Sequence, residues 1–307
     1  MNLLDRIRIG LFDRKKEEAQ REILRAARWP EDRELILHIL HALDSLSNGL
    51  IRADTVEKLP YPEERDRLAR LAADDRDDNV RGQALLKLQY PADRDLLISV
   101  ASGDPSSWLV RIAAEKLPWP EAKDALITLA KADNYPAFAI RKLDPAETLP
   151  LLEELALNSP DPEGRRAAAE KLECPASRAV LEQYAMAENP PQQLENIVEK
   201  LSWPESRDVL ARVARECPQH TARTYALEKL PWPEERETIE AVVRTWGDPL
   251  AQLIMAKGGI CPNCGAPVIA GTETVYMNDD PNDVSKECAA YSCEACRWEM
   301  IDDRTVV

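Results

Sequence analysis

Apolar positions recur along most of this chain in a fixed beat. A large residue (Leu68, Leu97, Leu126, Leu151, Leu181, Leu210 or Ile239) is usually followed four places later by a small one (Ala72, Ala101, Ala130, Ala185 or Ala214). Residues four apart share one helical stripe, so each stretch predicts an amphipathic helix, called helix A. Polar segments such as Asp74-Asp75-Arg76-Asp77-Asp78, Ser102-Gly103-Asp104-Pro105 and Glu216-Cys217-Pro218 end it with turn and N-cap residues. A second amphipathic stretch, helix B, then runs to a Lys-Leu pair, as from Val80 to Leu88 or Val110 to Leu117. The lysine stands where the negative end of the helix dipole favours a cation.

The leucines of those pairs are Leu59, Leu88, Leu117, Leu143, Leu172, Leu201 and Leu230, at five intervals of 29 residues and one of 26. A period of this size marks stacked supersecondary units, none of which buries its stripe alone. The predicted fold is all-α: an α-solenoid of about eight helix pairs over residues 1–257, followed by a small β ribbon over 258–307. Residues 1–28 carry an apolar stripe (Leu3, Leu4, Ile7, Leu11, Phe12) beside Arg6, Arg8, Arg14, Lys15 and Lys16. That pattern predicts a helix capping the first repeat, with a membrane-surface helix as the alternative.

Between repeats stands an aromatic-Pro step: Trp29-Pro30, Tyr61-Pro62, Tyr90-Pro91, Trp119-Pro120, Trp203-Pro204 and Trp232-Pro233. Cys174-Pro175 replaces the aromatic in one copy, and Lys142-Leu143-Asp144-Pro145 has lost it. The proline suits the first turn of helix A. The aromatics would line one edge, plugging gaps between units or offering stacking surfaces to a peptide or to bases. Val80-Arg81, Val110-Arg111 and Ile140-Arg141, each after a polar turn, resemble the corresponding segment of HEAT-like repeat proteins, including the phycobilin-lyase type, over about residues 30–245. The resemblance implies a ladder of turn aspartates and helix B arginines. Arg52, Arg81, Arg111, Arg166 and Arg223 stand near helix B starts, and their alignment reads as such a ladder or as an anion-binding strip.

The tail carries the clearest chemistry. Cys261-Pro262-Asn263-Cys264 and Cys293-Glu294-Ala295-Cys296 are two Cys-x-x-Cys knuckles, with 28 residues between the inner cysteines. Four thiolates so placed suit tetrahedral Zn2+; rubredoxin-like iron is the alternative. Short β segments at Pro267–Ile269, Thr272–Tyr276, Cys288–Ser292 and Trp298–Ile301 surround the knuckles, and the pattern resembles a zinc ribbon over about residues 259–303. Cys288 reads as a buried small residue or a substitute ligand. Cys174 and Cys217 have no neighbouring base to make either a nucleophile. A segment this short cannot build its own core, so metal is expected to organise it.

Composition narrows the partners. Net charge is −15, divided as −9 up to residue 260 and −6 beyond it. Both parts repel phosphate on average, which disfavours nucleic acid and favours a protein with a basic surface or segment. Seven cysteines without a secretory signal point to a reducing, cytoplasmic setting, and no apolar run is long enough to cross a membrane. Glu34, His38 and His41 share a helix face as a possible metal trio, and His220 stands alone near a helix start. No phosphate-cradling glycine loop, Gly-x-Ser-x-Gly elbow or His-Glu-x-x-His motif occurs. The expected function is a non-enzymatic protein-binding scaffold using the groove of the B helices, with the ribbon as cap or second contact. The alternatives are a nucleic-acid-binding protein and an iron electron-transfer tail.

Overall fold

The computed structural model describes residues 17–42, 49–187, 193–276 and 285–306, so the apolar stripe from Leu3 to Phe12 lies outside the described residues. Two compact units form, one reaching Lys171 and the other beginning at Leu172. In the first, α1 (Glu17–Ala26) precedes five pairs: α2 (Arg33–Ala42) and α3 (Gly49–Val56), α4 (Arg65–Asp74) and α5 (Asp78–Lys87), α6 (Arg94–Gly103) and α7 (Ser107–Lys116), α8 (Lys123–Ala130) and α9 (Ala137–Ile140), α10 (Pro145–Asn158) and α11 (Pro162–Lys171). The second holds α12 (Arg178–Ala185) and α13 (Glu195–Val198), α14 (Arg207–Glu216) and α15 (His220–Lys229), α16 (Arg236–Trp246) and α17 (Pro249–Lys257). Strands β1 (Ile269–Tyr276), β2 (Ser285–Cys293) and β3 (Trp298–Val306) follow as an antiparallel meander. Within each unit the A helices pack on A helices of the next pair, and B helices on B helices.

The core is the beat read from the sequence. All seven Lys-Leu leucines are buried, as are Leu68, Leu97, Leu126, Leu181, Leu210 and Ile239 with their small partners four residues on. One expected core position moves. In α10 it is Leu152, not Leu151, that is buried, because Thr148 leaves helical geometry just before Pro150 and shifts the stripe by one residue. The prolines also differ from expectation. Each aromatic-Pro or Cys-Pro bond is cis, and helix A starts three residues after it. The proline therefore sits in a turn of its own, closed by bonds such as Glu64 N–H to the Pro60 carbonyl (3.0 Å).

Successive repeats are tied by polar contacts as well as by apolar burial. The lysine of each Lys-Leu pair reaches back to carbonyls about one repeat earlier. Lys87 Nζ donates to Glu57 and Leu59 O (both 2.8 Å), Lys116 to Leu86 and Leu88 O (2.7 and 2.9 Å), and Lys171 to Leu143 O (2.8 Å). Lys200 and Lys229 do the same to Leu172 and Glu199. These carbonyls lie at helix B ends, where no intrahelical donor remains. Burial pulls the Lys87, Lys116 and Lys171 ammonium groups below the usual lysine range.

The aromatic edge is tied in the same way. Trp29 Nε1 donates to Glu63 (3.2 Å), Tyr61 Oη to Asp93 (3.1 Å) and Trp203 Nε1 to Glu235 (3.3 Å), so these rings plug the seam between units. Every helix A except α10 also opens on a basic residue four places after the aromatic or Cys174. Arg65 and Arg207 use theirs on the same acids, Asp93 and Glu235. In one copy this seam is incomplete. Ser206 takes the place of Asp93 and Glu235, and its buried Oγ has no partner, nor has the buried Nε of Arg178.

The expected ladder of aspartates and arginines exists in part. Arg52 pairs with Asp75, Arg81 with Asp104 (3.4 Å), and Arg223 lies 3.9 Å from Asp248. Arg111 and Arg166 instead pair along their own helices, with Glu115 and with Glu163 and Glu170. The rung stands six residues before the Lys-Leu lysine; Arg111 and Arg166 stand five before it, which turns them by about 100°. In that repeat Arg165 holds the register, bonding the Ser159 carbonyl (2.7 Å) as Arg81 bonds that of Asp75 (3.0 Å).

Two stability measurements follow. Lys116→Met leaves two carbonyls at a helix end without their charged donor and should cost about 1.5–3 kcal/mol in urea unfolding. Lys123→Met, which removes only an exposed pair with Glu147, should cost less than about 1 kcal/mol. Ser206→Asp should stabilise by about 1 kcal/mol by giving Arg178 the carboxylate its counterparts have.

Candidate metal centre and helix B surface

Each cysteine knuckle is a tight turn closed on its first residue. Gly265 N–H bonds Cys261 O (2.9 Å), and Arg297 N–H bonds Cys293 O (2.8 Å). The residue after each second cysteine is left-handed, φ +77° at Gly265 and +59° at Arg297. Glycine takes that conformation freely, whereas arginine pays a steric penalty of about 1–2 kcal/mol. The first knuckle follows α17 and the second joins β2 to β3, so the ribbon carries them to one place.

There the four sulfurs of Cys261, Cys264, Cys293 and Cys296 all lie within 4.8 Å of one another. Cys261 and Cys296 are 3.6 Å apart, as are Cys264 and Cys293. Tetrahedral zinc with bonds near 2.3 Å requires sulfurs about 3.8 Å apart, so the set fits such an ion. As free thiols the four titrate unevenly. The Asn263 side chain, by hydrogen bonding, brings Cys296 down to about 7. Cys264 is favoured as thiolate by the amide of Ala266, yet desolvation and its three sulfur neighbours outweigh that and push it up to about 12. A divalent ion would convert this mutual repulsion into shared attraction and draw off the protons.

The ribbon's burial explains why an ion matters. Among the described residues from 258 to 304, only Cys261, Cys288, Cys293 and Asp302 are buried. Three are cysteines and none is a large apolar residue, so there is no conventional core. Cys288 stands outside the cluster and is fully covered. The ribbon also leans on α17. Trp298 Nε1 donates to Gln252 Oε1 (3.3 Å), and Lys257 Nζ pairs with the buried Asp302 (2.7 Å). Trp232, the last aromatic of the series, lies against Gly258 so closely that a Cβ there would come within 2.2 Å of its indole nitrogen. None of these docking residues carries a motif, so spacing alone could not have found them.

Elsewhere the expected candidates do not become reactive centres. Burial raises the thiol pKa of Cys174 and of Cys217, the reverse of nucleophile activation. His41 faces Arg67, with Nε2 3.1 Å from Nη1, and no metal cluster among the described residues includes Glu34, His38 or His41. His220 opens α15, 3.8 Å from Asp248.

The outward stripe of the B helices in the first unit is partly apolar. It presents Leu50, Asp54 and Glu57 on α3, Gln83 and Leu86 on α5, Trp108 and Glu115 on α7, and Phe138 on α9. Leu50 is 56% exposed, Leu86 48% and nearby Tyr135 41%. Gly82 lets Trp108 lie across α5, since a Cβ there would stand 2.1 Å from the ring. Asp54 and Glu57 are exposed and form no ion pair among the described residues. No helix among the described residues is long and apolar enough to cross a membrane. Searches against protein-family models, curated proteins and solved structures found no match to this chain.

Chelation supplies the check on the metal centre. Metal analysis of the purified chain should give one equivalent of tetrahedral metal, and Cys261→Ser with Cys293→Ser should lose it. Stripping the ion should abolish hydrogen-exchange protection in β1–β3 while α4–α7 keep theirs. Full metal content in the double variant would remove the ligand assignment.

Proposed function

We propose that this chain is a non-enzymatic protein-binding scaffold: a HEAT-like α-solenoid over residues 1–257, closed at its last repeat by a zinc ribbon over 258–307. The observation that carries this reading is the belt of exposed apolar residues on the B helices, Leu50, Leu86 and Tyr135 with Trp108 and Phe138 beside them. Aqueous surfaces of helices rarely keep such residues together without a partner to cover them. The free carboxylates of Asp54 and Glu57, set in a chain of net charge −15, favour a cationic amphipathic segment as that partner.

Zinc is the ion of choice for the ribbon. It accepts four thiolates in a tetrahedron and adds no redox chemistry. Its role is structural, supplying on the order of 10–16 kcal/mol of apparent binding energy to a segment without an apolar core. Trp232 on Gly258 and Lys257 on Asp302 support the ribbon as a surrogate final repeat. Thiolate ligation, with Cys174, Cys217 and Cys288 all unpaired, suits the reducing cytoplasm.

The scaffold reading is tested by affinity purification of the intact chain beside a Leu50→Asp, Leu86→Asp variant, with mass spectrometry of the recovered proteins. A partner lost from the variant, whose affinity for the intact chain falls as salt rises from 50 to about 300 mM, is the expected result. Identical recovery by both proteins, or binding indifferent to salt, would count against it. A colourless protein carrying zinc is expected; a coloured iron centre would replace the structural role with electron transfer.

A further inference from the structure

Between α2 and α4 the first unit encloses a cavity of about 240 Å³ whose polar wall is made by His41, Arg52, Arg67 and Arg70, with Leu40 and Leu71 as apolar sides. Three guanidinium groups around one cavity are notable in a chain this acidic. Their commitments differ. Arg52 is fully engaged, both its terminal nitrogens on Asp75, and it forms the back of the cavity. Arg67 uses Nε on Glu64 (2.9 Å), a carboxylate also shared with Arg33 (3.5 Å). Arg70 gives Nε to the Asp66 carbonyl (3.2 Å) and enters no ion pair among the described residues. The one lining carboxylate outside a rung is Asp74, exposed at the rim.

The contact between Arg67 Nη1 and His41 Nε2 sharpens this picture. A guanidinium only donates, so at 3.1 Å the imidazole nitrogen must accept. An oxygen of an anion placed between them would accept from Arg67 and from a protonated His41 together. The terminal nitrogens of Arg70, one helical turn along α4, approach the same space. Donors from two helices converging from different sides match the diverging oxygens of a tetrahedral anion better than the flat fork of a carboxylate.

We propose that this cavity is a binding site for a phosphate-class oxyanion, held by Arg67 and Arg70 of α4 and His41 of α2. The anion is either free or carried on a phosphorylated peptide, and the two sources share one recognition chemistry. The site is separate from the helix B belt, so its test stands apart from that of the scaffold reading.

The experiment is NMR titration of the full chain, following the His41 ring resonances at constant ionic strength balanced with chloride. One arm uses inorganic phosphate and the other a phosphoserine peptide. A saturable His41 shift is expected, with affinity about tenfold weaker in Arg70→Gln and no saturation in Arg67→Gln, Arg70→Gln. Tighter binding of the peptide assigns the source to a modified protein, and equal or tighter binding of inorganic phosphate assigns it to the free ion. Leu86→Asp should leave both titrations unchanged. No saturable shift with either probe in the unmodified chain overturns the proposal, as does an unaltered titration in the double variant; the first outcome holds however the variants fold.

Discussion

A helix B that stops at a Lys-Leu pair leaves its last carbonyls without intrahelical donors, and most of the molecule is organised around how the neighbouring repeat supplies them. The lysine does this from about 28 residues away, by bonding the preceding repeat while its own helix ends. The adjacent leucine closes the same seam from the apolar side, buried in every copy. One dipeptide thus performs two tasks that neither residue could perform in an isolated helix pair. This makes the period strict, since a lysine displaced by one residue would turn by about 100° and miss the carbonyl.

The array has two kinds of interruption. In the fourth repeat the short interval removes the aromatic-Pro turn, leaving α10 to start directly at Pro145. In the copy around Cys174 both sides of a seam are reduced, the ring to a thiol and the acid to Ser206. Elsewhere a ring donor and an arginine converge on one acid, so the pair Ser206 and Arg178 shows what the seam loses when that acid is absent. At the C-terminal end a different device takes over. The ribbon meets Trp232 and α17 with small and polar contacts, and its own interior consists of cysteine sulfur. An ion bound there would hold the ribbon's shape and the last repeat's cover in one event.

Much was legible in the chain itself. Leu68, Leu97 and Leu126 with their alanines declared the buried stripe of helix A, and the Lys-Leu beat located the end of helix B. Two Cys-x-x-Cys pairs named the four residues whose sulfurs converge, because a knuckle of that spacing closes on itself through local hydrogen bonds. These are properties of short stretches: helical periodicity, turn chemistry and ligand spacing act within about ten residues.

What only the tertiary structure decided lies across longer separations. The cis turn displaced proline from the helix start; Arg165, and not Arg166, took the ladder position; Leu152 replaced Leu151; and His41 found Arg67. Each outcome depends on a rotation of one residue, about 100° on a helix, or on a partner some 22–34 residues away. Sequence spacing specifies which face a residue occupies to within that rotation. Stacking alone determines which atom of the next repeat stands opposite it, and so whether a charged side chain becomes a tie, an exposed pair or part of a cavity wall.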